Sequence, residues 1–138
     1  MRFRTHVSKQ GTLFLAGRND ETNEKLIGEV KPEEYVFHTE APGSPFVLVK
    51  GKPKEGDLKE AAIICARYSR DWKKNEGDTI IHQFLGKDIY KNKEMKLGTF
   101  GVKKLKKIKV KRDEIKDFNS NPAKESTLKE IIKEQDII

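Results

Sequence analysis

The sequence predicts an α+β fold: a mostly antiparallel sheet packed by one long amphipathic helix, with a short C-terminal helix after it. Two observations indicate this class. Short apolar and β-branched segments, each bounded by turn residues, recur along the chain, and one stretch over 57–74 has the periodicity of an amphipathic helix. At 138 residues the chain is long enough for one domain with its own hydrophobic core.

Turn residues divide the first half of the chain into short elements. The strands predicted over 35–38 and 46–49 flank a turn in which Pro42 and Gly43 fit the central positions of a type II turn. Such a turn leaves the amides of Gly43 and Ser44 free to meet an anion. In order, we expect strands over 3–6 and 12–16, a brief helix over 22–27, and strands over 35–38 and 46–49.

The long helix is expected to begin with Asp57 as its N-cap and Glu60 as the capping-box partner, and to end near Lys74. On a helical wheel its basic residues gather opposite a mostly apolar arc, so we expect the arc to cover the sheet and the basic stripe to face outward. The arc contains Leu58, Ala61, Ala62, Cys65, Tyr68, Ser69 and Trp72. The stripe contains Lys59, Arg67, Arg70, Lys73 and Lys74.

Four strands are predicted to follow this helix, and the chain then divides into a domain over 1–118 and an appendage over 119–138. The strands cover 79–84, 88–90, 99–102 and 107–112, with a bend or bulge at Gly86. Within the first of them, His82 has the spacing of a core histidine. The appendage is expected to be a linker and a C-terminal helix whose apolar face carries Leu128, Ile131, Ile132 and Ile137.

The positive charge of the chain is concentrated in one segment. Residues 87–112 include eleven basic and two acidic residues, a net charge of +9, whereas the whole chain carries +7 and the remainder therefore −2. Lys107, Lys109 and Lys111 alternate with apolar residues, so a strand would place them on one face. Cations at such fixed spacing favour the repeated phosphates of a nucleic acid over a lipid surface. With neither a signal peptide nor an apolar stretch approaching roughly 18 residues, we expect a cytoplasmic protein and no membrane partner.

Few residues suit catalysis or metal binding. The chain has one cysteine, Cys65, and three histidines, which makes a four-ligand metal site improbable, and Cys65 is expected to be a buried structural thiol. His38 and Glu40 would share a strand face near Ser44, which leaves a small hydrolase as a minority reading. No Gly-x-Ser-x-Gly, phosphate-binding glycine loop or acidic Mg²⁺ cluster supports it. We therefore expect no enzyme, no cofactor and no metal.

Several short motifs occur in an order and at a spacing that resemble one family. They are Gly17-Arg18-Asn19 with Asn23-Glu24, His38-Thr39-Glu40 with Ala41-Pro42-Gly43-Ser44, Asp57 with Ala61-Ala62 and Ala66-Arg67-Tyr68-Ser69, and Asp88-Ile89-Tyr90-Lys91 with Lys96-Leu97-Gly98-Thr99-Phe100. Over 12–112 the chain resembles the NFACT-R domain (domain of unknown function 814), the RNA-binding module of the fibronectin-binding-A-like proteins of ribosome-associated quality control. It looks like a stand-alone version of that module. Pro45 stands where the family pattern commonly has a histidine, so that histidine's contacts are missing.

The resemblance implies a non-catalytic module that binds RNA such as tRNA or rRNA, in a translation or ribosome quality control setting that includes the ribosome as a partner. We expect the lysines of the basic segment and the basic stripe of the helix to attract RNA phosphates. We expect Arg18, His38 and Ser44 to form a pocket that recognises local RNA shape or a 2′-hydroxyl. The candidate RNA-binding residues are Arg18, Asn19, His38, Ser44, Arg67, Arg70, Lys74, Lys91, Lys103, Lys104, Lys107, Lys109 and Lys111.

A protein-interaction module remains the alternative function. In that case the basic segment docks an acidic partner, and the C-terminal helix binds a partner or mediates self-association.

Overall fold

The computed structural model describes residues 3–118, and the predicted linker and C-terminal helix at 119–138 lie outside the described residues. Along the described chain, strands and helices alternate in the manner of an α+β domain, as predicted. In chain order the elements are β1 (Arg4–Val7), β2 (Leu13–Ala16), α1 (Asp20–Gly28), β3 (Tyr35–Thr39), β4 (Val47–Val49), α2 (Asp57–Arg67), α3 (Arg70–Asn75), β5 (Thr79–Leu85), a 3₁₀ turn (Gly86–Asp88), β6 (Ile89–Tyr90), β7 (Gly101–Val102), β8 (Lys106–Val110) and α4 (Arg112–Lys116).

Six of the strands form one sheet, in the order β1-β2-β4-β3-β5-β8, and every neighbouring pair is antiparallel. β6 and β7 form a separate two-stranded hairpin. β8, the lysine-rich strand, lies at one edge of the large sheet and β1 at the other. The predicted antiparallel sheet is therefore confirmed.

The two faces of the sheet are buried by different elements because side chains alternate along each strand. Phe37, Ile81 and Val110 point to the first face, where they pack against α2 and α4. Val36 and Phe84 point to the second face and pack with Leu26 of α1 and with the β6–β7 hairpin. Both faces of the sheet are therefore packed against other elements, which fixes the register of the strands.

A row of polar residues crosses the second face of the sheet. The register places His38 of β3 opposite His82 of β5, and His82 opposite Lys107 of β8. Directly opposed residues in an antiparallel pair share a face. Because Phe84 belongs to the second core and lies two residues from His82, this row must lie on the same side of the sheet.

The prediction of one long helix over 57–74 is wrong, since α2 ends at Arg67 and α3 begins at Arg70. Ser69 interrupts the helix in an extended conformation, with φ −79° and ψ 154°. Its hydroxyl donates to the Ala66 carbonyl (2.6 Å) and accepts from the Trp72 amide (3.1 Å), so it caps α3. A serine hydroxyl can form hydrogen bonds with nearby backbone groups and so end one helix and cap the next. A helical wheel shows only the apolar positions and therefore cannot reveal such a break.

The predicted start of the helix also differs. The N-cap is Gly56, at φ 87°, and Asp57 is the first helical residue. The Asp57 carboxylate accepts from the Thr12 hydroxyl and the Lys54 amide rather than from the helix. Glu60 does not close a capping box, because its carboxylate accepts from His6 and from the Lys9 amide. These acids fasten α2 to the β1–β2 hairpin.

The last predicted strand, 107–112, ends early because a short helix starts there. Glu114 accepts from the amide of Lys111 (3.0 Å) and Asp78 accepts from the amide of Arg112 (2.8 Å), which turns the chain into α4. Ile115 of α4 then enters the first core. Within residues 3–118, no helix is long and apolar enough to cross a membrane.

Candidate nucleic-acid interface

Four cationic side chains surround a cleft of about 240 Å³ at one end of the sheet. Arg4 comes from β1, Arg18 from the loop before α1, and Arg70 and Lys73 from α3. We call these four residues and the space between them the arginine cleft. None of the four forms an ion pair with another described residue. Asp20 contributes one carboxylate to the lining, so positive charge dominates the cleft.

An aromatic ring forms one wall of the arginine cleft. The guanidinium of Arg4 lies over the ring of Tyr68, 4.7 Å from its centroid. Tyr68 occupies the interruption between α2 and α3, so the break in the predicted long helix is what brings this ring and Arg70 to the cleft. A cation held over a ring keeps its hydrogen-bond donors available in the plane of the guanidinium.

The turn at Pro42–Ser44 borders the arginine cleft through Gly43 and Ser44, and the backbone angle of Gly43 agrees with the predicted type II turn. Gly43 has φ +92°, the left-handed value that the third residue of a type II turn requires. Its carbonyl accepts from the Arg70 amide (2.8 Å), and an added Cβ would lie 3.0 Å from Arg70 Cβ. Among the described residues, none accepts a hydrogen bond from the amides of Gly43 and Ser44. These donors remain available to an anion.

Two of the candidate RNA-binding residues use their side chains to shape these loops. The Ser44 hydroxyl is buried, accepts from the Thr39 amide (3.0 Å) and donates to the Pro45 carbonyl (3.0 Å). Asn19 Oδ1 accepts from the Thr22 amide (2.8 Å) and thereby caps α1. The two side chains hold the loops in place, and the residues beside them present the charge.

Gly17 is required at the base of the cleft for space, and not for an unusual backbone angle. A Cβ at this position would lie 1.8 Å from Asn23 Oδ1. That oxygen accepts from the Phe46 amide (3.3 Å), so Asn23 joins α1 to the start of β4. The motif Gly17-Arg18-Asn19 with Asn23 is therefore one packed unit that orients Arg18.

A second, partly apolar groove of about 410 Å³ lies across the turn from the arginine cleft. We call it the histidine groove, because His38 and His82 of the polar row line it together with Phe46 and Phe100. The His38 and Phe46 rings are 4.4 Å apart between centroids. The two cavities share Asp20, Asn23, Gly43 and Ser44 in their walls, so they adjoin each other.

The hydrogen bonding of His38 fixes its tautomer. Its Nδ1 lies 2.8 Å from the carbonyl oxygen of Thr39, which can only accept, so Nδ1 carries the proton. Burial lowers the pKa of His38 below the usual 6.5, and the neighbouring His82 lowers it further. The neutral ring therefore has an acceptor at Nε2, to which no described residue donates.

The structure does not pair His38 with Glu40, as the hydrolase reading would require. The Glu40 carboxylate instead accepts from Lys107 Nζ (2.7 Å) and from His82 Nε2 (3.2 Å). These two hydrogen bonds lower the pKa of Glu40, with Lys107 as the larger cause. His82 is accordingly half-buried and bonded to an exposed carboxylate, which differs from the core histidine expected for it.

The lysines of the basic segment are exposed, but several are already paired. Lys107 bonds Glu40, and Lys109 lies 3.6 Å from Asp78. Lys103 and Lys104 lie in the exposed turn before β8 without an ion pair to any described residue. Lys111 is the exposed residue at the start of α4.

The remaining candidates occupy different settings. Lys91 bonds Glu24 (2.9 Å) and the carbonyls of Lys96 and Thr99, and lies over the Phe100 ring, so it holds its own loop together. Arg67 is half-buried at the end of α2, and Lys74 is exposed on α3. Neither lines the arginine cleft or the histidine groove.

Sequence reasoning missed Arg4, Lys73 and Tyr68 as members of the cleft. The signal for Arg4 was the hairpin itself: pairing of β1 with β2 sets Arg4 opposite Ala16, next to Gly17 and Arg18. The role of Tyr68 depends on the helix break and had no such signal. Across residues 3–118 no group of three or more His, Cys, Asp or Glu residues is arranged to hold a metal ion.

Comparison with known proteins identifies one relative by sequence and one by fold. The "Archaeal Rqc2 homolog aRqcH" of Methanocaldococcus jannaschii is 32% identical over 101 residues, covering 67% of this chain and 15% of the relative. The solved C-terminal part of the fibronectin/fibrinogen-binding protein from Streptococcus suis has the same fold, with a TM-score of 0.73 at 21% identity over 86% of this chain and 49% of that one. This chain therefore spans only part of each.

A family model described as "NFACT protein RNA binding domain" matches residues 2–104. The match includes all four residues of the arginine cleft and ends before β8, so Lys107, Lys109 and Lys111 fall outside it. It covers most of the chain. The chain belongs to the family of NFACT RNA-binding domains.

Proposed function

We propose that this protein binds structured RNA, such as tRNA or rRNA, through the arginine cleft and acts without catalysis in a cytoplasmic ribosome quality control setting. The observation that carries the proposal is the unpaired state of Arg4, Arg18, Arg70 and Lys73 among the described residues. Membership of an RNA-binding family supports the ligand class.

The cleft suits a phosphate on chemical grounds. Guanidinium groups present several donors in a plane that matches phosphate oxygens, and three of the four cations are arginines. The free amides of Gly43 and Ser44 add neutral donors at the rim. Phosphate contacts position an RNA without reading its sequence, so shape must supply the selectivity.

The lysines of β8 and of the turn before it, which we call the basic strand, contribute a weaker, longer-range attraction to RNA. Lys107 and Lys109 must exchange Glu40 and Asp78 for RNA phosphates, whereas Lys103 and Lys104 need not break an ion pair with a described residue. We therefore assign the main contacts to the arginine cleft and steering to the strand.

One relative supports the proposed ribosome quality control setting and the ribosome as a partner. The name of the archaeal relative places that protein among Rqc2 homologues, which supports ribosome quality control and contact with the ribosome here. Self-association through residues 119–138 remains part of the proposal.

A binding titration against tRNA, a single-stranded RNA and a DNA of matched sequence, repeated at several salt concentrations, tests the function. If about four to six phosphates are neutralised, log affinity falls with log salt at a slope of roughly −3 to −5. We expect tRNA to bind most tightly. Binding that ignores salt would refute the phosphate mechanism. Absence of binding to all three at low salt would favour the alternative in which the exposed lysines dock an acidic protein.

A further inference from the structure

We propose that the histidine groove holds one unpaired RNA base while the phosphate of the same nucleotide or of its neighbour lies in the arginine cleft. This inference deepens the proposed function and depends on it. It names the RNA feature that the interface selects: a nucleotide in a loop, bulge or end whose base is free to leave the stack.

The walls of the histidine groove suit the faces of a base. Phe46 and Phe100 contact each other edge to face, with ring centroids 5.6 Å apart, and Phe46 meets Phe84 in the same way at 6.5 Å. Pro42 and Val102 complete the apolar lining. A volume of about 410 Å³ lies in the range of small-ligand pockets, roughly 300–1,000 Å³. Phe46 and Phe84 are buried and support the half-buried Phe100, so Phe100 supplies the aromatic surface on which a base of unpaired RNA would stack.

The groove also offers oriented polar groups. His38 Nε2 is an acceptor, because its Nδ1 proton is engaged by Thr39. Asn23 uses its Oδ1 to accept from the Phe46 amide, which directs its Nδ2 donor elsewhere, and none of the described residues accepts from it. One fixed acceptor and one fixed donor match the edge of a base, which carries both. A groove meant only for an apolar side chain would not keep such groups at its wall.

The position of the two cavities explains why a base and a phosphate would be bound together. The histidine groove and the arginine cleft share Gly43 and Ser44, whose turn lies between them. A ribose at this turn would connect a base on one side to a phosphate on the other, next to the free amides of Gly43 and Ser44. In an RNA duplex the bases are paired and stacked inside the helix, so only an unpaired nucleotide can be divided in this way.

RNA pentamers with and without bases separate the two parts of the proposal. Oligo-A, oligo-U and an abasic ribose-phosphate pentamer carry equal numbers of phosphates, and each competes for the full chain against a labelled RNA. We expect the better base-bearing pentamer to bind about 5- to 100-fold more tightly than the abasic one, with the same salt slope.

Protein variants locate the base. His38→Ala removes the acceptor, and Thr99→Trp fills the groove from an exposed rim position without touching either core. Leu97→Trp is the matched control, since Leu97 is 55% exposed and does not line the groove. We expect the preference for base-bearing RNA to disappear in the first two variants and to persist in the control, with all three folded by circular dichroism.

Three results would overturn the base site, and they differ in what they leave of the proposed function. Equal binding of the abasic and base-bearing pentamers would overturn the base site while leaving phosphate binding intact. A preference that survives Thr99→Trp would also overturn it, because the base would then lie elsewhere. If no RNA binds wild-type protein at low salt, the proposed function itself fails and the base site with it.

Discussion

Removing charge from the arginine cleft should weaken RNA binding more than removing the same charge from the basic strand. The comparison uses two double variants, Arg18→Ala with Arg70→Ala and Lys107→Ala with Lys109→Ala. Each lowers the formal charge of +7 by two, so any difference between them reflects the arrangement of the charges. In the folded protein the two arginines have no ion pair to a described residue, whereas the lysines bond Glu40 and Asp78.

The expected magnitudes follow from that pairing. Each phosphate that the protein neutralises on single-stranded RNA releases counterions and contributes about 0.7 to the salt slope. Losing two such contacts in the cleft should therefore make the slope about 1.4 shallower. Because both guanidinium groups are exposed, we take about 1 kcal/mol for each contact, or roughly 30-fold in affinity for the pair. The strand variant should lose about threefold and less than half as much slope, because its lysines exchange one anion for another.

Fluorescence anisotropy of a labelled single-stranded RNA at four salt concentrations measures both quantities. Thermal unfolding followed by circular dichroism shows whether the variants remain folded. A strand variant that loses as much slope as the cleft variant would refute the assignment of the main contacts to the arginine cleft.

Three further predictions concern the residues that shape the interface. Gly17→Ala places a Cβ against Asn23 Oδ1. It should lower the free energy of unfolding, measured with urea, by about 1–3 kcal/mol and should also weaken RNA binding. An unchanged urea midpoint would show that Asn23 moves aside without cost. Ser69→Ala removes the cap of α3 and should lower the free energy of unfolding by about 1–2 kcal/mol in the same urea measurement. A loss below about 0.3 kcal/mol would contradict the capping role of this hydroxyl. Since burial lowers the pKa of His38 below 6.5, the unfolded chain takes up this proton first, so stability falls as the pH drops below 6.5. NMR titration should find His38 neutral at pH 7, and His38→Gln should remove its share of the pH dependence.

Local sequence patterns predicted most of the fold because they determine most of it. The strands and α1 appear within a few residues of their expected positions, since alternating apolar residues and turn residues specify them directly. The long helix failed at Ser69, where a single hydroxyl caps a new helix instead of continuing the old one. Helical periodicity continues through such a break, so the apolar pattern alone could not show it.

The site was less predictable because it depends on which strands are neighbours. The spacing of His38 and Glu40 suggested a pair, but the sheet order puts His82 and Lys107 across from His38 and gives Glu40 to them. Similarly, the run of lysines was visible in the sequence, while their pairing with distant carboxylates was not. Arg18 and Arg70, chosen separately, converge only once α3 is in place.

The path of the last described helix has a consequence for how the domain can be joined to other proteins. β1 and β8 lie at opposite edges of the sheet, yet α4 returns the chain across the first face, so that the Phe118 ring is 5.8 Å from the ring of His6 in β1. The chain therefore enters and leaves the domain at neighbouring points. A domain with adjacent ends can be inserted into a surface loop of another protein, or be cut at an exposed turn and rejoined end to end, without a change in its core.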